Sequence, residues 1–589
     1  MVVGMKAGEK AFEDDLQNYA PTVGIVYSPG FKDGILGTMF GGSGKSVIRA
    51  GWSRAFVREG TALIGSILGA NPGGTLSATR NLSIGNLTVG SNLRDPNNPN
   101  LTPGSFIPVP AYPLPLTTAN SANAFDPNLS TGYVDSWSAG YQREIDKNTV
   151  VEFRYMGNRG KNLWRQHNLN ELNTIENGFA AEYKLAQQNL IANLAAGRGA
   201  TFAYFGAGTN TNQLPIMLAY FNTAATFDPT NPARYNSTLF VNTTLTAQLS
   251  VNNPQVLAFA NNVENSAARR ANALANGKPC NFFYVNCSTL TGGAFVLDNS
   301  AQSWYDAGVI EVRRRLSNGV RLQASYVFSK AQSDEFQSNS DNFVQFVHRD
   351  FGRALSKSVA VFDLTHQFKV DATWDLPFGK GRTWFSDSNA IVNGFLGGWT
   401  ILPTIRWQSG SPFSFGNVSL VGMTKKDLQK EIQVRKGPGA VTYLPDDIIL
   451  NTQRAFDITS TGAYGTTFGG APTGRFIAPA GYGNCQSAYS GQCGFNNLVV
   501  YGPSFFKFDA TVSKKIMIGE KRSIELRAAF LDVLNAPNFR VGGFGADVIT
   551  AGVGGQTFGQ LGSGSAYQDI STTNDPGGRI VDLMLRINF

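Results

Sequence analysis

The chain has 589 residues, including 65 glycines, and it is 12% aromatic but only 15% charged, whereas ordinary globular chains carry about 7% glycine and about 25% charged residues. A hydrophobic content of 42% excludes general disorder, and no run approaches the about 20 apolar residues of a membrane-spanning helix. The net charge of +8 is scattered rather than gathered into Lys/Arg blocks, which argues against nucleic-acid binding. One large all-β structure is favoured.

Alternation of apolar and polar residues predicts about eleven strands in chain order. We expect them near residues 20–29, 46–57, 132–145, 149–158, 303–316, 320–330, 362–376, 398–411, 503–515, 523–534 and 579–589. The predicted strands are about ten residues long, and their aromatic residues lie near strand ends.

The first predicted hairpin turns at Asp146-Lys147-Asn148. Its register pairs Trp137 with Gly157, Ala139 with Tyr155, Tyr141 with Phe153, and Gln142 with Glu152. One face is then apolar and the other polar, so a slip by one residue would destroy the match.

The second predicted hairpin turns at Ser317-Asn318-Gly319. Its register pairs Leu316 with Val320, Val312 with Ala324, Ile310 with Tyr326, Gly308 with Phe328, Arg313 with Gln323, and Glu311 with Ser325. Both strands again agree on which face is apolar.

The connections alternate in length, which separates a soluble sandwich from a membrane barrel. Five connections are long, at 58–131, 159–301, 331–361, 411–502 and 535–578. They alternate with short links near 146–148, 317–319 and 516–522 and with links of intermediate length near 30–45 and 377–397. Outer-membrane barrels have short periplasmic turns and long outer loops. We therefore predict an antiparallel transmembrane β-barrel, with helical segments at 181–194 and 256–275 inside its outer loops.

The charged residues of the predicted strands share the polar face. An Arg or Lys facing lipid at the midplane would cost about 2–4 kcal/mol, so we expect this face to line a wet lumen. The charges are Glu152, Arg154, Glu311, Arg313, Arg321, Lys369, Asp371, Asp375, Arg406, Lys507, Asp509, Glu525, Arg527, Asp582 and Arg586. Direct substrate contact by any one of them is the alternative to general solvation of the lumen.

Four cysteines form two local pairs in loop-like sequence, Cys280/Cys287 and Cys485/Cys493. This arrangement predicts two disulfides formed in an oxidising compartment. Four free thiols in a cytosolic protein are the alternative.

No catalytic, metal or cofactor site is predicted. The segment FGGSGKS at 40–46 lacks the first glycine of a phosphate-binding loop and is expected to be a turn. His167, His348 and His366 have no metal-ligand spacing. The acidic residues Asp334, Glu335 and Asp341 fit a solvated outer loop better than a calcium site. No Ser/His/Asp set is placed coherently, so an enzyme is not expected.

The ordered set of strands resembles the C-terminal part of TonB-dependent outer-membrane receptors of the Oar-like type. The resemblance rests on NYAPTVGIVYSP, KSVIRAGWSRAF, SWSAGYQREIDKNTVVEFRYMGNRGKNLW, VIEVRRRLSNGVRLQASYVFSKA, FDLTHQFKVDATWDLPFGKGR, GGWTILPTIRWQSGSPFSF, FKFDATVSKKI, IELRAAFLDVLNAPNF and the terminal RINF. It covers nearly every predicted strand.

The resemblance implies that residues 1–589 form the C-terminal half of a barrel of about 22 strands. A plug domain and a TonB-contacting segment are then expected in sequence that precedes Met1, in keeping with the odd strand number and the lack of a signal peptide. Phe589 resembles the terminal signal read by the barrel-assembly machinery. The expected partners are the lipid bilayer, the TonB system and an unknown solute.

The expected function is TonB-energised uptake of a specific solute across the cell outer membrane. The alternatives are a passive porin-like barrel, a non-functional fragment, or a secreted all-β adhesion or structural protein. No residue discriminates among siderophore, glycan and peptide as the solute.

Overall fold

The structure is a computed structural model of the chain. It describes residues 10–589 except 11, 58–60, 70, 72–120, 171, 285–292, 335–344, 348–356, 439, 490, 520–521, 537, 540, 542–556 and 562–577. Glu335, Asp341, His348 and Cys287 lie outside the described residues.

The main element is a 14-stranded sheet in which eleven strands follow one another as antiparallel neighbours. These eleven are β1 Thr22–Tyr27, β2 Ser46–Phe56, β3 Tyr133–Asp146, β4 Thr149–Asn168, β5 Gly293–Ser317, β6 Val320–Ser333, β7 His366–Asp375, β8 Trp399–Gln408, β9 Phe505–Ile518, β10 Arg522–Leu531 and β11 Ile580–Asn588. The predicted antiparallel order of these eleven strands is confirmed. Within the described residues β1 and β11 end the path without pairing with each other, so the sheet is not closed.

The observed registers confirm both predicted hairpins except at one turn. Trp137 pairs with Gly157, and Val312 pairs with Ala324, as expected. The predicted pairing of Leu316 with Val320 is wrong, because the register shifts after Arg314 and the turn is closed by Ser317 opposite Val320. Bulges of this kind cannot be found from period-two alternation, since they break it.

Two strands are much longer than expected. β4 has 20 residues and β5 has 25, so they continue into both ends of the connection 159–301 that was predicted as loop. The added part of β4 contains register shifts around Leu163. Because of these shifts, its residues do not alternate between apolar and polar as in a regular strand. Two short strands also pair in parallel, Ser121–Phe125 with β5 and Gln345–Val347 with β4, which corrects the expectation of an all-antiparallel sheet.

The sheet has two ends and two faces. We call the end with the long connections the outer end and the end with the short turns the inner end. On the apolar face, Leu583 and Leu585 are 76% and 62% exposed, so this face is bare of protein cover. Aromatic residues mark both its ends. They are Trp52, Trp137, Tyr155, Trp304 and Trp407 at the outer end, and Tyr141, Trp374 and Trp399 at the inner end.

Helices occur mainly in the connections. They are α1 Gly34–Phe40, α2 Thr61–Gly69, α3 Phe179–Ala195, α4 Pro215–Phe221, α5 Thr243–Gln248, α6 Val256–Glu264, α7 Ala267–Ala275, α8 Ala390–Leu396, α9 Lys425–Glu431 and α10 Asp446–Phe456, with 3₁₀ turns at Ala224–Thr226, Pro232–Arg234 and Thr238–Val241. The helix expected over 256–275 is split in two, because the Ser266 side chain caps α7 by accepting from the Arg269 N–H. In the described part of the chain, no helix has the length and apolar character needed to cross a membrane.

Short strands complete the loops. They are Ser358–Val359, Pro412–Ser414, Val418–Val421, Arg435–Lys436, Val441–Thr442, Phe476–Pro479 and Val499–Tyr501. The expected glycine-rich turn at 40–46 is confirmed, because α1 ends at Phe40, Gly41 has φ 74° and β2 begins at Ser46.

The two largest buried cores lie in the loops, and a smaller one packs Ile67, Phe125 and Leu129 against Leu297 of β5. We call residues 169–284, between β4 and β5, the first loop domain, and residues 411–502, between β8 and β9, the second loop domain. The first has a helical core of 24 buried apolar residues. The second has a mixed core that also takes in Val541, Phe558 and Leu561 from the last long connection.

Candidate functional site

The ten charges assigned to a lumen share one face of the sheet. Strand pairing links them through positions directly opposite one another, and all lie on the face away from the exposed apolar residues. They are Glu152, Arg154, Arg313, Arg321, Lys369, Asp371, Arg406, Lys507, Asp509 and Arg527. That this face lines a lumen stays a prediction.

Several of these charges form ion pairs across or along strands. A carboxylate oxygen of Glu152 lies 2.8 Å from Nη2 of Arg313, and its other oxygen lies 3.6 Å from Nη1 of Arg154. Arg321 and Asp371 lie 2.9 Å apart on neighbouring strands. Such cross-strand pairs favour this register over its alternatives.

A row of three cations crosses β7, β8 and β9. Lys369 is opposite Arg406, and Arg406 is opposite Lys507. The nearby carboxylate of Asp509 lies 3.5 Å from Nζ of Lys507. Asp371 and Asp509 both lie in the neighbouring row, each opposite Thr404. Three cations beside two acids leave this stretch of the polar face with a small excess of positive charge, which suits an anionic ligand group.

A second basic region lies at the inner end of the polar face. A cavity of about 430 Å³ opens there beside the hairpin turns. Its basic lining residues are Lys147, Arg313, Arg314, Arg315 and Arg321, and Glu144 is its acidic member.

Beyond the outer end, the long β4–β5 pair holds a buried ion pair that the sequence did not indicate. The Arg165 guanidinium contacts the Asp334 carboxylate, and both side chains are almost fully buried. The Gln302 N–H also donates to Asp334, at 2.8 Å. The expectation that Asp334 belongs to a solvated acidic loop is therefore wrong, because an arginine distant in sequence neutralises it inside the protein.

A Ser/His/Asp arrangement lies next to this ion pair. Nδ1 of His167 lies 3.2 Å from Asp298, and Nε2 lies 3.1 Å from Oγ of Ser300. The Ser300 hydroxyl also donates to Asp298 at 2.6 Å, and this directs its proton to the carboxylate rather than to the imidazole. The expectation that no such set comes together is wrong. The geometry is that of a structural hydrogen-bond network, since the serine is not activated by the histidine.

His366 lies at the outer end of the apolar face, among aromatic side chains. Its ring is stacked against Tyr326 and Trp407, and Nδ1 lies 2.7 Å from the Tyr326 hydroxyl. This placement agrees with a structural role of His366 at the outer rim of the sheet.

The first loop domain is built around aromatic rings. Phe259 is fully buried and its ring lies within about 6 Å of those of Phe179, Tyr183 and Phe202. The domain starts and ends at one point, because Leu172 pairs with Tyr284 in an isolated β-bridge. It is therefore a closed unit inserted at the end of the β4–β5 pair.

A buried carboxylate joins α3 to α4 in this domain. Glu182 accepts hydrogen bonds from the N–H groups of Ile216 and Met217, both at 2.7 Å. Burial raises the pKa of Glu182 to about 7, against the opposing effect of the two N–H donors. This group lay inside a predicted helix, and nothing in the local sequence distinguished it from a solvent-exposed glutamate.

The second loop domain contains a disulfide between Cys485 and Cys493. Cys280, in the first loop domain, is also disulfide-bonded, and its predicted partner Cys287 lies outside the described residues. None of the described cysteines is a free thiol.

The two loop domains contact each other. The carbonyl of Gly462 accepts from Oγ of Ser250 at 2.7 Å and from Nδ2 of Asn252 at 3.1 Å. A third bond joins Nε2 of Gln486 to Oε1 of Gln187 at 3.1 Å. The loops therefore form one assembly above the outer end of the sheet.

Phe589 ends the chain one residue after β11 and is 94% exposed. Its assignment as an assembly signal stays a prediction.

Comparison with known proteins is consistent with this architecture. A family model described as an outer membrane beta barrel domain matches residues 1–579. No curated protein matches the chain.

Several solved structures are similar at low identity. They include the outer membrane transporter YddB from Escherichia coli (9% identity, 92% of this chain, 39% of that chain, TM-score 0.32). A second is the ferripyoverdine receptor of the Pseudomonas aeruginosa outer membrane bound to ferripyoverdine (10% identity, 89% of this chain, 30% of that chain, TM-score 0.28). A third is the ferric-catecholate import receptor Fiu from E. coli K12 (6% identity, 96% of this chain, 34% of that chain, TM-score 0.29). The chain spans less than two fifths of the length of each. From the family match, the chain belongs to the outer membrane beta barrel domain family.

Proposed function

We propose that this chain forms barrel wall and outer loops of a TonB-dependent receptor of the Oar-like type, which takes up a specific solute. Its sheet lies in the outer membrane, as its family membership shows. The observation that carries the proposal is the pair of folded loop domains that contact each other above the outer end of a sheet with a charged polar face.

In this proposal the loop domains capture the solute and the polar face receives it. The contact of Ser250 and Asn252 with Gly462 involves only a few hydrogen bonds, so ligand binding could open or strengthen it at low energetic cost. The row of Lys369, Arg406 and Lys507 favours a solute with an anionic group. Energy from TonB would then release the bound solute toward the periplasm.

The proposed partners follow from the same placement. The apolar face contacts the lipid bilayer, and Phe589, exposed at the end of β11, is available to the barrel-assembly machinery. The solute itself stays unidentified, because the charged residues fix only its complementary charge.

An uptake experiment in the native bacterium tests the proposal without knowledge of the solute. Cells with the gene, cells with an in-frame deletion of it and cells lacking TonB are grown in one complex medium, and depleted solutes are compared by mass spectrometry. We expect at least one solute to be depleted only when both the gene and TonB are present. Replacing Lys369, Arg406 and Lys507 by glutamine together should slow that depletion.

The matched control replaces Lys32, Lys45 and Lys380 by glutamine, which removes the same charge at exposed positions of the inner-end connections, outside the loop domains and the polar face. Immunoblots of outer membranes confirm equal protein levels. Depletion that needs the gene but not TonB would show a passive porin-like barrel. The absence of any gene-dependent solute would contradict a transport role.

A further inference from the structure

The apolar face carries a charged patch at its outer end. Nε of Arg54 lies 2.8 Å from Asp135, and Nη2 of Arg159 lies 3.0 Å from Asp306. Arg54 is directly opposite Asp135 in the strand register, and Asp135 is opposite Arg159. These side chains therefore form one row across β2, β3 and β4, on the face that otherwise meets lipid.

Each of three cations in the patch lies against an aromatic ring of the same face. The distances from the cation to the ring centroid are 4.1 Å for Arg54 and Tyr133, 5.1 Å for Arg159 and Trp137, and 4.6 Å for Lys357 and Trp304. Rings in this position restrict the cations and shield one side of each from water. The arrangement differs from that of freely solvated surface lysines.

The patch has more cations than it can neutralise. Besides Arg54 and Arg159 it contains Lys161, Lys330 and Lys357, against two carboxylates of the same face, Asp135 and Asp306. A third carboxylate, Asp15, lies beside the patch and accepts from the Thr131 N–H at 2.8 Å. In the described part of the chain, none of the three lysines has a carboxylate within 4 Å. An excess of positive charge is left facing outward.

The position of the patch relative to the membrane identifies its partner. Trp52 and Trp137 occupy the next row toward the inner end, and Ala50 and Ala139 the row after that. Aromatic belts of membrane proteins lie at the headgroup level. Arg54, Arg159 and Lys161 lie beyond this belt, and Lys330 lies in the same row as Trp137, through Gly157 and Asp306. These cations are therefore at the level of the lipid phosphate groups, and the acyl chains would lie over the apolar rows.

We propose that Arg54, Arg159, Lys161, Lys330 and Lys357, here called the cation rim, bind the phosphate groups of outer-leaflet lipids. The two arginines are held in position by Asp135 and Asp306 and by the aromatic rings. The three lysines supply the charge that the phosphates neutralise. Such a lipid would fix the orientation of the strands that carry the first loop domain.

Lipid binding by the purified full chain in a zwitterionic detergent tests the proposal. Native mass spectrometry measures occupancy by bisphosphorylated lipid A and by the same lipid with its phosphates removed. We expect the wild-type protein to retain the phosphorylated lipid preferentially, and the variant Lys161→Gln/Lys330→Gln/Lys357→Gln to bind it about a hundredfold more weakly.

Two further variants separate charge from folding. Lys161→Arg/Lys330→Arg/Lys357→Arg keeps the charge and should retain binding, and Lys426→Gln/Lys430→Gln/Lys436→Gln loses equal charge elsewhere and should bind as the wild type does. Equal binding by the glutamine variant of the rim would overturn the proposal, as would loss of binding in the arginine variant. Equal retention of the dephosphorylated lipid, or displacement by an equal concentration of inorganic phosphate, would also overturn it. None of these measurements depends on solute uptake.

Discussion

The sheet and the first loop domain are stabilised by opposite arrangements of the same residue types. Apolar side chains of the sheet point outward, and Leu583 is 76% exposed. In the first loop domain they point inward, and Phe259 and Tyr183 are fully buried. The sheet therefore depends on lipid, whereas the loop domain has a core typical of water-soluble proteins. It follows that the loop domain can lose its structure while the sheet keeps its own.

The largest effect is expected from Phe259→Ala. Removing this ring leaves a cavity among Phe179, Tyr183 and Phe202 and should lower the free energy of unfolding of the first loop domain by about 3–5 kcal/mol. Calorimetry of the purified protein should show the loop transition at lower temperature, with the transition of the sheet unchanged. Leu274→Ala, at a side chain 62% exposed in α7, is the control and should change stability by less than about 0.5 kcal/mol. A shift of the sheet transition in Phe259→Ala would contradict independent folding.

The next effect concerns pH. The pKa of Glu182 is raised from 4.5 to about 7 in the folded domain, so folding favours the protonated carboxyl. The resulting stabilisation is complete below about pH 4.5 and is lost as the pH rises through about 7, a change of about 3 kcal/mol. The calorimetric transition of the first loop domain should therefore move to lower temperature between pH 5 and pH 8.

Glu182→Gln should reduce this pH dependence because the amide does not titrate. Glu264, a second carboxyl of this domain whose pKa is raised by burial, would supply the remainder. Glu176→Gln, at an exposed position before α3, should leave it in place. An unchanged pH dependence in Glu182→Gln would assign the effect to another group.

A smaller effect is expected from the disulfide of the second loop domain. Cys485→Ser/Cys493→Ser opens a link between residues eight positions apart, which corresponds to about 2–3 kcal/mol of stabilisation through the unfolded state. The second loop domain should melt earlier, and the first should be unaffected. The reciprocal variant Cys280→Ser/Cys287→Ser should affect only the first. Equal shifts in both domains for either variant would show that they unfold as one unit.

The smallest effect is expected at the contact between the loop domains. Ser250→Ala/Asn252→Ala removes two donors to the Gly462 carbonyl, at about 1 kcal/mol in total. Hydrogen exchange around Gly462 should rise, with both cores still protected. Thr244→Ala, at an exposed position of α5, is the matched control. Unchanged exchange at Gly462 would mean that these bonds do not hold the domains together.

The sheet could be predicted from the sequence because its pattern is local. Trp137 and Gly157 lie close to a short turn, and alternation on both sides of that turn leaves one register that keeps the faces separate. The bulge before Ser317 and the outer half of β4 were not predictable in this way, since their residues follow no two-residue period.

The candidate site was predictable only in part. The charges of the polar face follow from the same alternation, so their common face could be assigned. Arg165 with Asp334, and His167 with Asp298 and Ser300, are joined by contacts between residues more than 100 positions apart. Such contacts leave no local pattern in a single sequence, and the contact of Ser250 with Gly462 is of the same kind.

Because Leu172 and Tyr284 meet at one β-bridge, the whole first loop domain could be replaced by a short turn without moving β4 or β5. Insertions and recombination are tolerated where chain ends lie close together on an exposed surface. The first loop domain can thus change in sequence and size while the strands of the sheet keep their pairing. In the laboratory, the same junction is a position for grafting a foreign domain onto the sheet.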